Sequence, residues 1–509
     1  MRPTRLSRLL CIWSVLLIGA CASVTNPVTG ERELTVMDER AEIAAGAKAH
    51  QEILKEYALV DNAALQLYVD GVGQKLAAQS QRANLKWTFT VLDTPEVNAF
   101  ALPGGYVYVT RGLLAYLDNE AELAGVVGHE IGHVTARHGA QRATSQARAG
   151  WAVLGATVLG AVVEGVSGVR GVTQAASELA QSGAAGLIAR YGREQELQAD
   201  QLGADYLSRL HYDPQRMVDV IQVLKDQERY AADAAKAAGR APPAAPDWLA
   251  SHPSNDERLA RIRETAARLK ATQPGGGWAD DGRMRFLRTI DGITFGDGRE
   301  QGVVRGRQFL HEPLGIAITA PEGWRIQNDT SQVALVNAAG DAALVLRVLP
   351  AQLLRQTGND HQAILRQALG ATEGRTERLT LGGNLSATYY NGQRRDADGT
   401  VSALEATIVN GPAGRVFLLA HLGADAAARE RARAAMRQAE LSFRALGAAD
   451  GALARPWRLG LVPYPAGGFA QLARSAPLTE LAEQQLRLLN GVYGGRPLPK
   501  PAELVKTVQ

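Results

Sequence analysis

The chain has 509 residues, 55 Lys and Arg against 52 Asp and Glu, and two cysteines. That length implies two or three domains rather than one. Three of the basic residues, Arg2, Arg5 and Arg8, fall in the first twenty positions; without them 52 basic residues face 52 acidic ones, so neither a nucleic-acid-binding nor a polybasic membrane surface is supported.

Arg2, Arg5 and Arg8 precede an apolar run over 9–19, far short of the ~20 residues needed to cross a bilayer. Ile18-Gly19-Ala20-Cys21 then fits a bacterial lipoprotein cleavage site. The expectation is a signal peptide over 1–20, lipidation of Cys21 and a tether over 21–36. Diacylglycerol plus an N-acyl chain would anchor firmly. Ala22 after the cysteine, in place of Asp, resembles an outer-membrane destination facing the periplasm. Cleavage removes Cys11 and lipid caps Cys21, so the mature chain is expected to hold no disulfide. Helices are predicted over 37–57 and 62–79, a strand over 85–92, and a second strand over 100–110 broken by Pro103-Gly104-Gly105. Helices dominate from 113 to 269.

His129-Glu130-Ile131-Gly132-His133 lies within a predicted helix over 120–138. Positions i and i+4 stack on one helix face, so both imidazoles can bind a single Zn²⁺. Glu130 projects beside that face, where a carboxylate can take a proton from metal-bound water. Leu123, Val126, Val127, Ile131 and Val134 give the helix an apolar side, which implies packing. Gly125, Gly128 and Gly132 would let another backbone or a substrate come close. A zinc site of this kind needs a third protein ligand and leaves the fourth place for water. The candidate lies 63 residues on, where Glu196 and Asp200 are again i and i+4, one for the metal and one for a hydrogen bond to a ligand histidine. Glu194 competes for the ligand role.

His129–His133 followed by Glu196-x-x-x-Asp200 resembles the zinc metallopeptidases related to HtpX and the CAAX prenyl proteases, in their soluble periplasmic lipoprotein branch. Residues 98–112, the Asn26-Pro27-Val28-Thr29-Gly30 segment, and Ser251-His252-Pro253 with Arg258 six residues past the histidine carry the same resemblance, which covers roughly 21–270. It implies His129, His133 and Glu196 as ligands to one Zn²⁺, Glu130 as general base, and Asp200 in support. In such peptidases an edge strand beside the zinc helix holds an extended substrate by backbone pairing; the candidate strand is Tyr106, Val107, Tyr108, Val109 and Thr110. The family loop carrying His252 lies near the metal, so His252 is expected to fill the open zinc position at rest, and Arg258 to stabilise the oxyanion. The implied activity is peptide-bond hydrolysis in misfolded or stalled envelope proteins. The alternative is an envelope chaperone or cell-wall-binding scaffold with latent proteolysis.

The Ala/Gly/Val-rich stretch 151–168 is expected to form a tight helical hairpin, and 231–246 a surface loop. The expected peptidase domain spans 37–271, with Thr272-Gln273-Pro274-Gly275-Gly276-Gly277 opening a linker over 272–284. From 285 to 447 strands are predicted over 314–320, 333–338, 342–349, 385–391, 403–410 and 415–421, with helices near 361–369 and 424–441; Trp324 is expected to cap the sheet core. His311, His361 and His421 are scattered there and form no catalytic pattern. The tail over 455–509 resembles the second half of a LysM-type module, which would make peptidoglycan a partner, or forms a structural subdomain. The expected class is α+β: a mainly helical gluzincin-type domain with a small sheet, then an α+β domain with a mostly antiparallel sheet.

Overall fold

Asp38, Asn62, Thr110 and Asn119 each accept a backbone N–H two or three residues into the helix that follows, satisfying a donor that has no intrahelical partner. These caps start the helices Glu39–Glu56, Ala63–Ala77, Arg111–Tyr116 and Glu120–Thr135. The last carries the HExxH motif and stops before the expected 138, because Arg137 turns to φ +60°. The computed structural model describes residues 22–147, 191–237, 239, 252, 256–272, 277–329, 331–395, 399–479 and 481–509. The expected hairpin over 151–168 lies outside them. The chain divides into two units, Met1–Ile293 with Arg458–Gln509, and Thr294–Trp457.

In the first unit, β1 (Ala22–Thr25) and β2 (Arg32–Thr35) form an antiparallel hairpin where a tether was expected. Asn26 closes its turn by accepting from the N–H groups of Val28 and Thr29, and its amide donates to Ala136 O at 3.2 Å. Thr35 Oγ1 lies 3.1 Å from Thr144 Oγ1. The hairpin is therefore fastened to the end of the HExxH helix and the segment after it.

β3 (Thr88–Leu92), β4 (Ala99–Leu102) and β5 (Tyr106–Thr110) form one sheet in the order β3–β5–β4. Pro103-Gly104-Gly105 splits the single strand expected over 100–110 into the β4–β5 hairpin, with both glycines at positive φ. The pairing bears on the strand expected to hold substrate. Tyr106, Val107, Tyr108, Val109 and Thr110 form the central strand, parallel to β3 on one side and antiparallel to β4 on the other. Its backbone groups are paired on both sides; residues 58–60 meet the outer side of β3, so among the described residues the open edge belongs to β4.

The helix Arg193–Arg209 lies against the HExxH helix at backbone distance. A Cβ added to Gly132 would stand 3.1 Å from Ala199 Cα, and one added to Gly128 3.3 Å from Gly203 Cα. The glycines thus serve helix–helix approach, as their recurrence suggested. Residues 231–237, expected in a loop, continue the helix Gln215–Ala237, as the run of alanines favours. The helix Arg283–Ile290 starts within the expected linker and buries Phe286, Leu287 and Ile290, which keeps it in the first unit.

The tail folds as strand Trp457–Pro463, helices Gly468–Ala473 and Ala482–Leu489, and strand Leu504–Val508, with the two strands antiparallel. Lys506 is fully buried, donating to Ala115 O at 3.1 Å and Leu117 O at 2.6 Å. The tail thereby packs within the first unit.

The second unit holds a seven-stranded antiparallel sheet and a four-stranded one. Met436, Ala432 and Ala439 of the helix Ala426–Leu441 pack with Phe417, Phe443 and Leu344, and Trp324 lies against this core. The edge strand Ala371–Leu381 was not anticipated: most of its side chains are exposed and polar, so it carries no apolar alternation. The chain is α+β.

Candidate metal centre

The two packed helices bring His129, His133 and Glu196 together, and His252 arrives from beyond the helix Gln215–Ala237. All four are buried. His133 Nε2 lies 3.0 Å from His129 Nε2 and 3.4 Å from Glu196 Oε1, while His129 Nε2 lies 3.6 Å from Glu196 Oε2. His252 Nδ1 lies 3.3 Å from His129 Nε2 and 2.9 Å from Glu196 Oε1. Ligands about 2.0–2.1 Å from a tetrahedral zinc are separated by roughly 3.3 Å, so the spacing of these donors suits one such ion. Glu194 is exposed and takes no part in the cage.

Glu130 supplies the second sign of fit. Both of its carboxylate oxygens are buried without a hydrogen-bond partner among the described residues, and His252 Nε2 stands 3.5 Å from one of them. Burial raises its pKa above the usual carboxylate range, against the attraction of His252 and His129. A buried carboxylate left bare is costly unless the site holds something for it to bind. Glu196 behaves oppositely: burial would raise it, yet the charges of His252 and Arg258 hold it well below the usual range, ready to ligate as an anion.

Asp200 Oδ1 lies 2.9 Å from His129 Nδ1, the partner expected of it, which turns His129 Nε2 toward the cage. Arg258 is buried beside Asp200 and Glu196. Its Nε and Nη2 donate to the two Asp200 oxygens at 2.6 and 2.8 Å, Nη1 lies 2.8 Å from Glu196 Oε2, and Nη1 also donates to His252 O at 3.2 Å. The guanidinium is thus engaged with Asp200, with the carboxylate of Glu196 and with the His252 backbone, and so braces the cage.

Three residues escaped the sequence reading. Tyr191 stacks on His133 with ring centroids 3.8 Å apart and planes at 16°. His138 reaches His133, and Gln198 reaches His138. His138 stands five positions after His133, beyond a backbone reversal, so no helical period announced it. Along β4, Ala101, Leu102 and the following Pro103 share a shallow depression with His133 and Tyr191.

Residues 63–266 match the model of Peptidase family M48. The chain is 33% identical over 236 residues to the beta-barrel assembly-enhancing protease of Yersinia pestis, covering 45% of this chain and 44% of that one. It is 30% identical over 215 residues to the protein of the same name in Escherichia coli (strain K12), covering 42% and 41%. A mitochondrial metalloendopeptidase OMA1 of Schizosaccharomyces pombe is 29% identical over 248 residues, covering 47% of this chain and 65% of that one. The match spans less than half the length of either bacterial relative.

Proposed function

We propose that this chain, whose residues 63–266 match the model of Peptidase family M48, is a zinc-dependent endopeptidase of the bacterial envelope. The observation that carries the reading is the buried cage of His129, His133 and Glu196 with the bare carboxylate of Glu130 beside it. A bound Zn²⁺ would polarise the scissile carbonyl and acidify water. Glu130, its proton affinity raised by burial, accepts the proton of the attacking water and passes it to the leaving amine. Asp200 and Arg258 orient His129 and Glu196. An extended substrate adds to the open edge of β4, whose Ala101 and Leu102 run beside His133. His252, as the fourth donor, closes the site at rest and must leave for water to enter.

Lipidation of Cys21 places the enzyme at the periplasmic face of the outer membrane; among the described residues no helix is long and apolar enough to cross a membrane. The substrates are misfolded or stalled envelope proteins, a reading supported by the names of the bacterial relatives. Glu130→Gln should lower cleavage of an unfolded protein by roughly 10²–10⁴-fold with zinc still bound. Wild-type rates in a zinc-verified sample would refute the base.

A second reading has its own support. Four protein donors fill the cage, and the tail has strand–helix–helix–strand order with paired outer strands. A scaffold that binds peptidoglycan through this tail, with latent proteolysis, fits both. Full complementation of a deletion by Glu130→Gln would favour it over the enzyme.

A further inference from the structure

His133 Nδ1 lies 2.8 Å from His138 Nδ1, and His138 Nε2 lies 2.9 Å from Gln198 Oε1. Both histidines are buried, at 1% and 0% exposure. Two neutral imidazoles facing each other through Nδ1 share one proton, and each has one N–H and one lone pair. Only two arrangements are open to them.

In the first, His133 Nδ1–H donates to His138 Nδ1, and His138 Nε2–H donates to the Gln198 carbonyl oxygen. This leaves the lone pair of His133 Nε2 pointing at His129 Nε2 and Glu196, where a cation would sit. In the second, His138 donates instead. His133 Nε2 then carries a proton and cannot ligate, and the bare His138 Nε2 faces the Gln198 oxygen, acceptor against acceptor, in a half-buried place. With the Gln198 carbonyl oxygen turned to His138 Nε2, as here, the first arrangement is the one that pairs every donor with an acceptor. Tyr191, stacked on His133, holds the ring plane in which the relay works.

The two histidines of the motif are therefore held by different chemistry. His129 leans on the carboxylate of Asp200, whereas His133 leans on an imidazole whose own orientation is set by an amide. We propose that His138, directed by Gln198, is a positioning residue that fixes the tautomer of His133 and so sets the affinity of the cage for its metal. The inference rests on the zinc reading of the cage and adds the means by which one ligand is prepared.

Zinc affinity of the full mature chain, measured by competition with a chromophoric chelator, tests this alongside thermal unfolding of the metal-free protein. His138→Ala should weaken zinc binding about 10–100-fold, with the metal-free melting temperature little changed. Gln198→Leu, which leaves His138 free to take either tautomer, should weaken it several-fold. Gln198→Glu, which still accepts from His138, should bind as tightly as wild type. Equal affinity for His138→Ala and wild type would overturn the proposal. So would equal behaviour of the two Gln198 variants, or a loss in His138→Ala that merely follows a drop in melting temperature. A wild-type chain that takes up no zinc would sink the metal reading itself, a result separate from any of these.

Discussion

At His252 the side chain sits within hydrogen-bond distance of Glu196 and 3.5 Å from Glu130, the position that the proposed switch requires. His252→Ala should raise peptidase turnover on an unfolded substrate several-fold, read as an increase in kcat; unchanged or lost turnover would show that the histidine serves the chemistry instead. His311 illustrates a quieter titration in the second unit. Its Nδ1 accepts from the Leu314 N–H, and burial lowers its pKa to about 4 from 6.5. Between those values the unfolded chain binds a proton that the folded chain refuses. Stability from this group is complete above pH 6.5 and is lost as the pH falls toward 4. The loss should amount to about 1–2 kcal/mol after solvent screening. It should vanish in His311→Gln, as measured by denaturant unfolding at pH 7 and pH 4.5. Single residues were unevenly legible. His129, Glu130 and His133 announce themselves by helical spacing, and Glu196 with Asp200 repeats it. His138, Gln198 and Tyr191 act through contacts across a backbone reversal and between distant segments, for which a linear spacing holds no signature.

Among the elements, the pair formed by the helices Glu120–Thr135 and Arg193–Arg209 governs the site, because the distance between them decides whether Glu196 reaches the histidines. Gly132→Val would drive a branched side chain into the Ala199 backbone, already 3.1 Å from the position of a Cβ. It should cost about 1–3 kcal/mol of stability and lower zinc stoichiometry, measured by thermal unfolding and metal analysis on the same sample. The glycine spacing foretold this close approach. Strand order was less readable. Tyr106–Thr110 alternates like many half-buried strands, and alternation reports faces, not which edge a neighbour occupies. The Pro-Gly-Gly turn was visible, but its reversal into a hairpin, which hands the open edge to β4, follows from pairing with β3. The strand Ala371–Leu381 stayed hidden because an exposed edge needs no apolar period.

For the molecule as a whole, contacts distant in sequence decide where the units end. The tail returns to the first unit through the buried Lys506, to which the sequence assigned no role. The N-terminal hairpin has a comparable reach. β1 begins at Ala22, directly after Cys21 in sequence, and Asn26 is bonded to Ala136, three residues past His133. Four strand steps of ~3.3 Å, one hydrogen bond and three helical steps of ~1.5 Å put the backbone of Ala22 within about 25 Å of His133. With Cys21 lipidated as proposed, such an enzyme would have almost no leash: it would graze on chains emerging at the headgroups and pass over those adrift in the periplasm. Splicing twenty Gly/Ser residues behind Cys21, worth roughly 25 Å of slack, should slow processing of vesicle-tethered substrate while cleavage of the same protein free in solution keeps its rate.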